Sequence, residues 1–347
     1  MARIMLVANP AASQFTGGDH RSILSLLARR HLVEAVWPRS APDARIIAAD
    51  AVTAGFDGVV AMGGDGIVHQ VAQSLVGTDV FLGVIPAGTT NVFARQIGLP
   101  PKPAKAARHL AHDPHVESRA VLTLDGIDTA GASVVRHAVF AAGMGIDADV
   151  VAAAETEPYR KYRFGVVHYA RTSVELLWTD LRRRQPTIAV EDGERSSDAI
   201  AVMAQFHDAF TYVGIRPLTF EGAPPAPVTL LIVENLRMRH LPSLLRHLAL
   251  GRSLAGVTGI EVWPEVASWQ ARSDAGTRTQ LDGELVGNLV AASFTYRPCA
   301  LWVAGPPPRG DQSPSRRSNS ASARLSSVAA AVAPARLRKT WRRGRPS

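Results

Sequence analysis

Three short stretches hold residues whose types and spacing suit phosphate chemistry. Gly63-Gly64-Asp65-Gly66 follows the apolar run Val59 to Met62 and precedes Val68, Val71, Ala72 and Leu75, which fall at helical spacing. The pattern is a strand, a glycine-rich loop and a helix. Such a loop lets backbone N–H groups approach a phosphate closely, and the helix start adds partial positive charge. The Asp65 carboxylate would repel phosphate by itself. Its presence makes sense if it holds Mg²⁺, directly or through water, against the phosphate oxygens. Taken alone, Asp-Gly is also a plain tight-turn signal, and that reading stays open for this loop.

The second stretch, Ile85 to Arg95, again sets a turn, Gly88-Thr89 with Asn91 close behind, between a strand (Phe81 to Ile85) and a helix. The third, Gln280-Leu281-Asp282-Gly283-Glu284, lies far downstream. Phosphoryl transfer to an alcohol needs a group that accepts the hydroxyl proton opposite the γ-phosphate, and Glu284 has the right chemistry. The competing reading makes Glu284 an exposed strand residue beside an Asp-Gly hairpin turn.

In this order the three stretches resemble the bacterial diacylglycerol kinase-like lipid kinases, relatives of the sphingosine and ceramide kinases. The resemblance runs from about Arg3 to Pro306. It implies that Asn9-Pro10, Gly63, Gly64, Asp65, Gly66, Ile67, Gly88, Thr89 and Asn91 line a site for ATP. It also implies that Asp65 organises Mg²⁺ with the ATP phosphates and that Glu284 is the base. NAD kinases share the Gly-Gly-Asp-Gly loop, but the later Asp-Gly-Glu fits the lipid branch better. The implied substrate is a lipid alcohol such as diacylglycerol, giving phosphatidic acid, with a sphingoid base or another lipid as the alternative.

The chain departs from this pattern in several places. Ile67 stands where Thr is usual, His69-Gln70 where Asn-Glu is common, and Ser13 where the first loop usually has Gly. A lost hydroxyl at Ile67 removes one hydrogen bond to a charged group, worth roughly 1.5–3 kcal/mol. That loss motivates an alternative from another class, a catalytically weak module that binds nucleotide or lipid. His69 is expected to sit solvated at the helix start rather than to act as a base. Where many relatives carry an Asp-Gly-Leu-Asp run associated with a structural Mg²⁺, this chain has Ala226-Pro227-Val228-Thr229, so a second metal is expected to be absent.

The elements that must position these residues alternate early and change character later. Arg3 to Ala8, Leu32 to Trp37 and Gly58 to Met62 read as strands, separated by helices around Ile23 to Leu27 and over Ala44 to Ala54. This alternation predicts a parallel sheet covered by helices, with Asn9 and both Gly loops at the carboxyl ends of its strands. Pro100-Pro101-Lys102-Pro103 ends the helix near Asn91, and Ala104 to Ala111 adds one more. From Val116 onward the segments are short and β-rich, the pattern of a β-sandwich, interrupted by a long helical stretch over Phe164 to Leu181.

The expected fold is therefore α/β plus β. A Rossmann-like three-layer α/β domain over 1–117, with 298–306 returning to it, joins a β-rich lipid-substrate domain over 118–297. The active site falls in the cleft between them. Gly143-Met144-Gly145-Ile146-Asp147-Ala148 matches a dinucleotide-binding fingerprint, but no βαβ unit with a strand-ending acid follows, and the lipid kinases carry a similar stretch here. Arg160 to Phe164 interleaves basic and aromatic residues that could face lipid headgroups, or simply be solvated at a helix entry.

The chain has 347 residues, enough for two ordinary domains, and a net charge of +8. The charge is a matter of location. From Arg309 onward there are ten Lys/Arg and one acid, leaving 28 basic and 29 acidic residues before it. The near-neutral folded part argues against nucleic acid as its ligand. The tail, 309–347, is Ser-, Ala- and Arg-rich and is expected to be disordered. Its end, Arg336 to Arg343 with Leu337 and Trp341, suits an anionic membrane surface; nucleic acid and an inert solubilising role compete for it. No apolar run is long enough to cross a bilayer and no signal peptide is evident, so the expectation is a cytoplasmic, peripherally membrane-associated protein. The one cysteine, Cys299, excludes an internal disulfide and is expected to be a small buried side chain.

Overall fold

In the computed structural model the described residues are 1–112, 114–155, 187–213, 216–220, 227–250 and 252–307. The early strands are apolar at nearly every position, as a sheet buried on both faces requires. β1 (Arg3–Ala8) pairs in parallel with β2 (Leu32–Val36) and β3 (Gly58–Gly63), and β3 pairs in parallel with β4 (Phe81–Pro86). Between them run α1 (Gly17–Ala28), α2 (Ala41–Thr53) and α3 (Asp65–Leu75), followed by the short α4 (Val92–Gln96) and by α5 (Pro103–Ala111). Thr16 and Ser40 cap α1 and α2 by accepting from the backbone N–H of Asp19 and Asp43.

β1 shows how the layers form. Ile4 and Leu6 share a core with Ile23 and Leu27 of α1 and Leu110 of α5, whereas Met5 and Val7 share one with Ala48 of α2 and Val71 of α3. The result is three layers, helices on each face of a parallel sheet. The strand order, 2-1-3-4, is the flavodoxin type rather than the 3-2-1-4 of the Rossmann fold. Its switch point lies at β1 and β3, where the ligand crevice of an open α/β sheet belongs.

The later strands are β5 (His115–Asp128), β6 (Ser133–Ala138), β7 (Ala141–Gly145), β8 (Ile188–Glu191), β9 (Ser196–Ala199) and β10 (Ala201–Gln205). They continue with β11 (Thr211–Val213), β12 (Arg216–Leu218), β13 (Thr229–Val233), β14 (Ile260–Trp263), β15 (Ser268–Leu281) and β16 (Glu284–Gly305). Two described helices lie among them, α6 (Ile146–Glu155) and α7 (Leu241–Leu250). These strands enclose their own core, built from residues such as Leu124, Met144, Val202, Leu230, Trp263, Trp269 and Phe294.

The two halves are not separate sheets. β16 pairs antiparallel with β5 and β15, then ends by pairing in parallel with β4 through Val303↔Leu82 and Ala304↔Gly83. One fourteen-stranded sheet thus runs through both, so the β-rich half is joined to the α/β sheet by hydrogen bonds. Cys299 is exposed, against expectation. It sits at φ 73° between Arg297 and Leu301, where the pairing of β16 with β5 shifts register. The helix expected over Phe164 to Leu181, the Arg160 to Phe164 cluster and the 309–347 tail lie outside the described residues. Among the described residues no helix is long and apolar enough to cross a membrane.

Candidate active site

The loops at the switch point are bound to each other through backbone. Asn9 N–H donates to Met62 O at 2.9 Å, Ala87 N–H to Gly63 O at 2.8 Å, and Gln14 N–H to Ala87 O at 2.8 Å. Asn9 folds its own turn, its Oδ1 accepting from Ala11 N–H. Gly88 lies against Gly64 so closely that a Cβ on Gly88 would sit 2.5 Å from Gly64 Cα. Only glycine fits there. Asn91, buried and in the left-handed region at φ 50°, closes this second loop: its Oδ1 accepts from Gly88 N–H and its Nδ2 donates to Gly88 O. Thr89 is exposed on the rim, its hydroxyl 3.1 Å from that of Ser13. The exposed Pro10 completes the set, so Asn9, Pro10, Gly63, Gly64, Gly88, Thr89 and Asn91 share one rim.

Asp65 opens α3, and its carboxylate faces α4. Its Oδ2 accepts from Val92 N–H at 2.9 Å and its Oδ1 from Phe93 N–H at 3.2 Å. It therefore satisfies the start of a helix whose own N-cap, Asn91, makes no side-chain cap bond. Burial pushes its carboxyl up to about 6, opposed by those two N–H groups, with the Asp282 charge adding to the rise and Arg95 working against it. Arg95 itself lies over the Tyr212 ring, 5.1 Å from its centroid. Ile67 is buried with its Cγ2 beside Gly63, so its side chain belongs to the core under the loop.

Glu284 reaches this loop from the other end of the sequence. A Cβ on Gly66 would lie 2.5 Å from Glu284 Oε1, which places the carboxylate directly over the first turn of α3. The hairpin between β15 and β16 delivers it. Leu281 pairs with Glu284 across Asp282-Gly283, and both turn residues have positive φ, 57° and 80°, the conformation of a type I′ turn.

Asp282 does more than turn the chain, and nothing in the local sequence signals it. Its carboxylate accepts from the N–H groups of Val139, Phe140 and Ala141 at 2.8–3.1 Å, and its Oδ2 lies 2.8 Å from His69 Nδ1. A carboxylate only accepts, so Nδ1 carries the hydrogen. His69 is 3% exposed, which corrects the expectation of a solvated residue. The signal lay in the spacing: His69, Val68 and Ala72 fall on the packed side of α3.

A second group supports the same turn. Gln280 Nε2 donates to Asp147 Oδ2 at 2.7 Å while its Oε1 accepts from Gly283 N–H at 2.8 Å. Asp147 stands in the first turn of α6, and burial pushes its carboxyl up to about 6. Its carboxylate covers Gly143, which explains the glycine of the false dinucleotide fingerprint. β7 pairs antiparallel with both β10 and β15, so that motif is no part of a βαβ unit. Neighbouring Asp149 is bridged to Arg278 at 2.6 Å.

Among the described residues no three His, Cys, Asp or Glu side chains converge to cage a metal. The donor set fits the other way of holding Mg²⁺, in which phosphates supply most oxygens and the protein one or two carboxylates. Asp65 is the carboxylate in the loop; with both oxygens accepting from Val92 and Phe93 N–H, it would hold such an ion through a remaining lone pair or a water. Ala226 lies outside the described residues, Val228 is buried, and Thr229 opens β13.

Residues 3–121 match the diacylglycerol kinase catalytic domain. The resemblance to diacylglycerol kinase-like lipid kinases therefore holds. Over 120 residues, 34% of this chain and 39% of the relative, the sequence is 44% identical to the diacylglycerol kinase of Mycobacterium tuberculosis H37Rv. Over 62 residues, 17% of this chain and 20% of the relative, it is 47% identical to the diacylglycerol kinase of Bacillus subtilis 168. The aligned part thus spans about two fifths and one fifth of these curated relatives. A crystal structure described as a diacylglycerol kinase of Bacillus anthracis superimposes with a TM-score of 0.62 at 16% identity, covering 88% of this chain and 97% of that one. At that identity the likeness shows a shared fold. The sequence match stops at residue 121, whereas Glu284, Asp282 and Asp147 all lie beyond it.

Proposed function

We propose that the chain is an ATP-dependent lipid kinase that transfers the γ-phosphate of ATP to the hydroxyl of a lipid such as diacylglycerol, giving phosphatidic acid. The observation that carries this reading is the Glu284 carboxylate over Gly66, a base set on the loop where phosphate would lie. The rim of Asn9, Pro10, Gly63, Gly64, Gly66, Ile67, Gly88, Thr89 and Asn91 holds the nucleotide, with its phosphates at the first turn of α3, where Gly66 and Ile67 lie. When bound, Mg²⁺ neutralises charge on the phosphate oxygens, and Asp65 is the residue that would hold it. Glu284 takes the proton from the lipid hydroxyl as its oxygen bonds to the γ-phosphorus. The bond from that phosphorus to the bridging oxygen breaks, and ADP leaves with the electron pair. The lipid would enter between the α/β domain, 1–117 with 298–306, and the β-rich domain over 118–297. The basic tail would visit an anionic membrane surface.

The test is transfer of labelled γ-phosphate from Mg·ATP into a mixed lipid extract by the natural chain, Glu284→Gln and Asp65→Asn. The proposal expects a labelled lipid, lost in both variants, and chromatography of the product separates a glycerolipid from a sphingoid base. The buried Ile67, which offers no hydroxyl to the loop, favours a second reading: ATP binding without turnover. Nucleotide affinity in a chain that labels no lipid would decide for it.

A further inference from the structure

We propose that His69 and Asp282 form a positioning pair that ties α3, the helix after the glycine-rich loop, to the turn carrying Glu284, and so sets where the Glu284 carboxylate stands over the loop. The inference rests on the phosphotransfer reading above. The two side chains are 4% and 0% exposed, 2.8 Å apart, and join positions 213 residues apart in the chain. His69 lies one helical turn after Asp65; Asp282 lies two residues before Glu284. A link at this point couples the two carboxylates that the reaction needs.

Both ends of the link are fixed. Asp282 is locked by the N–H groups of Val139, Phe140 and Ala141, and its own N–H donates to Ala141 O at 2.8 Å. On α3, the carbonyl of His69 accepts from Gln73 Nε2, which donates to His137 O as well, while Gln73 Oε1 accepts from His137 N–H. The helix is therefore joined to the 137–141 backbone twice, once through Gln73 and once through His69 and Asp282. Without the imidazole N–H, the turn would keep its backbone bonds but lose its direct tie to α3. Glu284 would then settle at a shifted position relative to Gly66.

The geometry also names the substitute. In asparagine, Nδ2 is attached to Cγ as Nδ1 is in histidine, so His69→Asn can place a donor at the same position, whereas His69→Leu fills similar space without one. The experiment measures γ-phosphate transfer from Mg·ATP into a mixed lipid extract supplemented with 1,2-dioleoylglycerol, together with amide hydrogen exchange over 280–286. His69→Leu is expected to lower kcat about 10–100-fold, the scale on which small misplacements act, with KM for ATP changed less than about twofold. Exchange over 280–286 should quicken in the same variant. His69→Asn should return both kcat and exchange most of the way.

If His69→Leu keeps full kcat while Glu284→Gln is inactive, the positioning role alone is overturned. It is also overturned if His69→Asn does no better than His69→Leu, or if exchange over 280–286 does not respond. Full transfer by Glu284→Gln, or no labelled lipid from the natural chain, overturns the phosphotransfer reading and the pair's role with it.

Discussion

Glu284 and Gly66 meet so closely that the glycine has no room for a side chain: Oε1 stands 2.5 Å from where a Cβ would be. Gly66→Ala should therefore displace the carboxylate while leaving the fold standing, because the obstacle is the end of a flexible side chain. The expected result is a loss of kcat on the order of 100-fold. The melting temperature should stay close to that of the natural chain. Steady-state kinetics beside a thermal melt checks it.

The contrast with Gly88 is instructive. There the neighbour of an added Cβ is backbone, Gly64 Cα at 2.5 Å, and backbone cannot rotate away. Gly88→Ala should cost about 1–3 kcal/mol of stability, as overpacking does. It should also weaken ATP binding by parting two loops of the rim. Urea unfolding and titration calorimetry with Mg·ATP measure the two effects separately.

Much of the α/β half was legible in the sequence because parallel strands buried on both faces read as unbroken apolar runs, and the loops after them are punctuated by glycine. What the runs do not encode is strand order, which depends on contacts between elements distant in sequence. β16 was harder. Pro298 in the middle of its sequence signals a break, yet one strand runs through it with a register shift and a positive-φ residue, Cys299. The Glu284 candidate was visible in Asp-Gly-Glu, but the partners of Asp282 were not. Three of them are backbone N–H groups, which no side-chain pattern reports, and the fourth, His69, is 213 residues away.

Asp65 and Asp147 predict an unusual pH response. Each carboxyl lies near 6 in the folded chain against an ordinary 3.8, so the folded state binds more protons between about pH 4 and 6. Their contribution to stability is thus present below that window and lost as pH rises through it. His137 and His207 act oppositely. Burial lowers both to about 4 from 6.5, and their contribution is present above 6.5 and lost as pH falls toward 4. The natural chain should therefore show partly cancelling slopes between pH 4.5 and 6. The double variant Asp65→Asn/Asp147→Asn should lose stability more steeply on acidification, and His207→Gln less steeply, in melts recorded across this range.

Asp282 should be the most costly single residue of the site to truncate. Asp282→Ala leaves the N–H groups of Val139, Phe140 and Ala141 and the imidazole of His69 without their acceptor, in a place that is fully buried. Each buried donor left unmade costs about 1–3 kcal/mol, and water entering the gap would offset part of the total. A loss of roughly 3–5 kcal/mol is expected, the scale of breaking a buried polar pair from one side. Urea denaturation reads it directly. A loss below the cost of one hydrogen bond would mean that the turn is held by its backbone alone.

Ile67 decides how much the departure from the usual threonine matters. The side chain is buried, with Cγ2 beside Gly63, so Ile67→Thr exchanges core packing for a hydroxyl beneath the loop. The lost packing should lower stability by about 1–2 kcal/mol, between the costs of smaller and larger core truncations. If the hydroxyl reaches a nucleotide phosphate, the new charge-assisted bond is worth roughly 1.5–3 kcal/mol, or about 10–100-fold in affinity for Mg·ATP. Calorimetry and urea unfolding on the one variant therefore give opposite signs. A gain in affinity with unchanged kcat would locate the weakness of this loop in holding nucleotide. A gain in both would mean that the missing hydroxyl also orients the γ-phosphate toward Glu284.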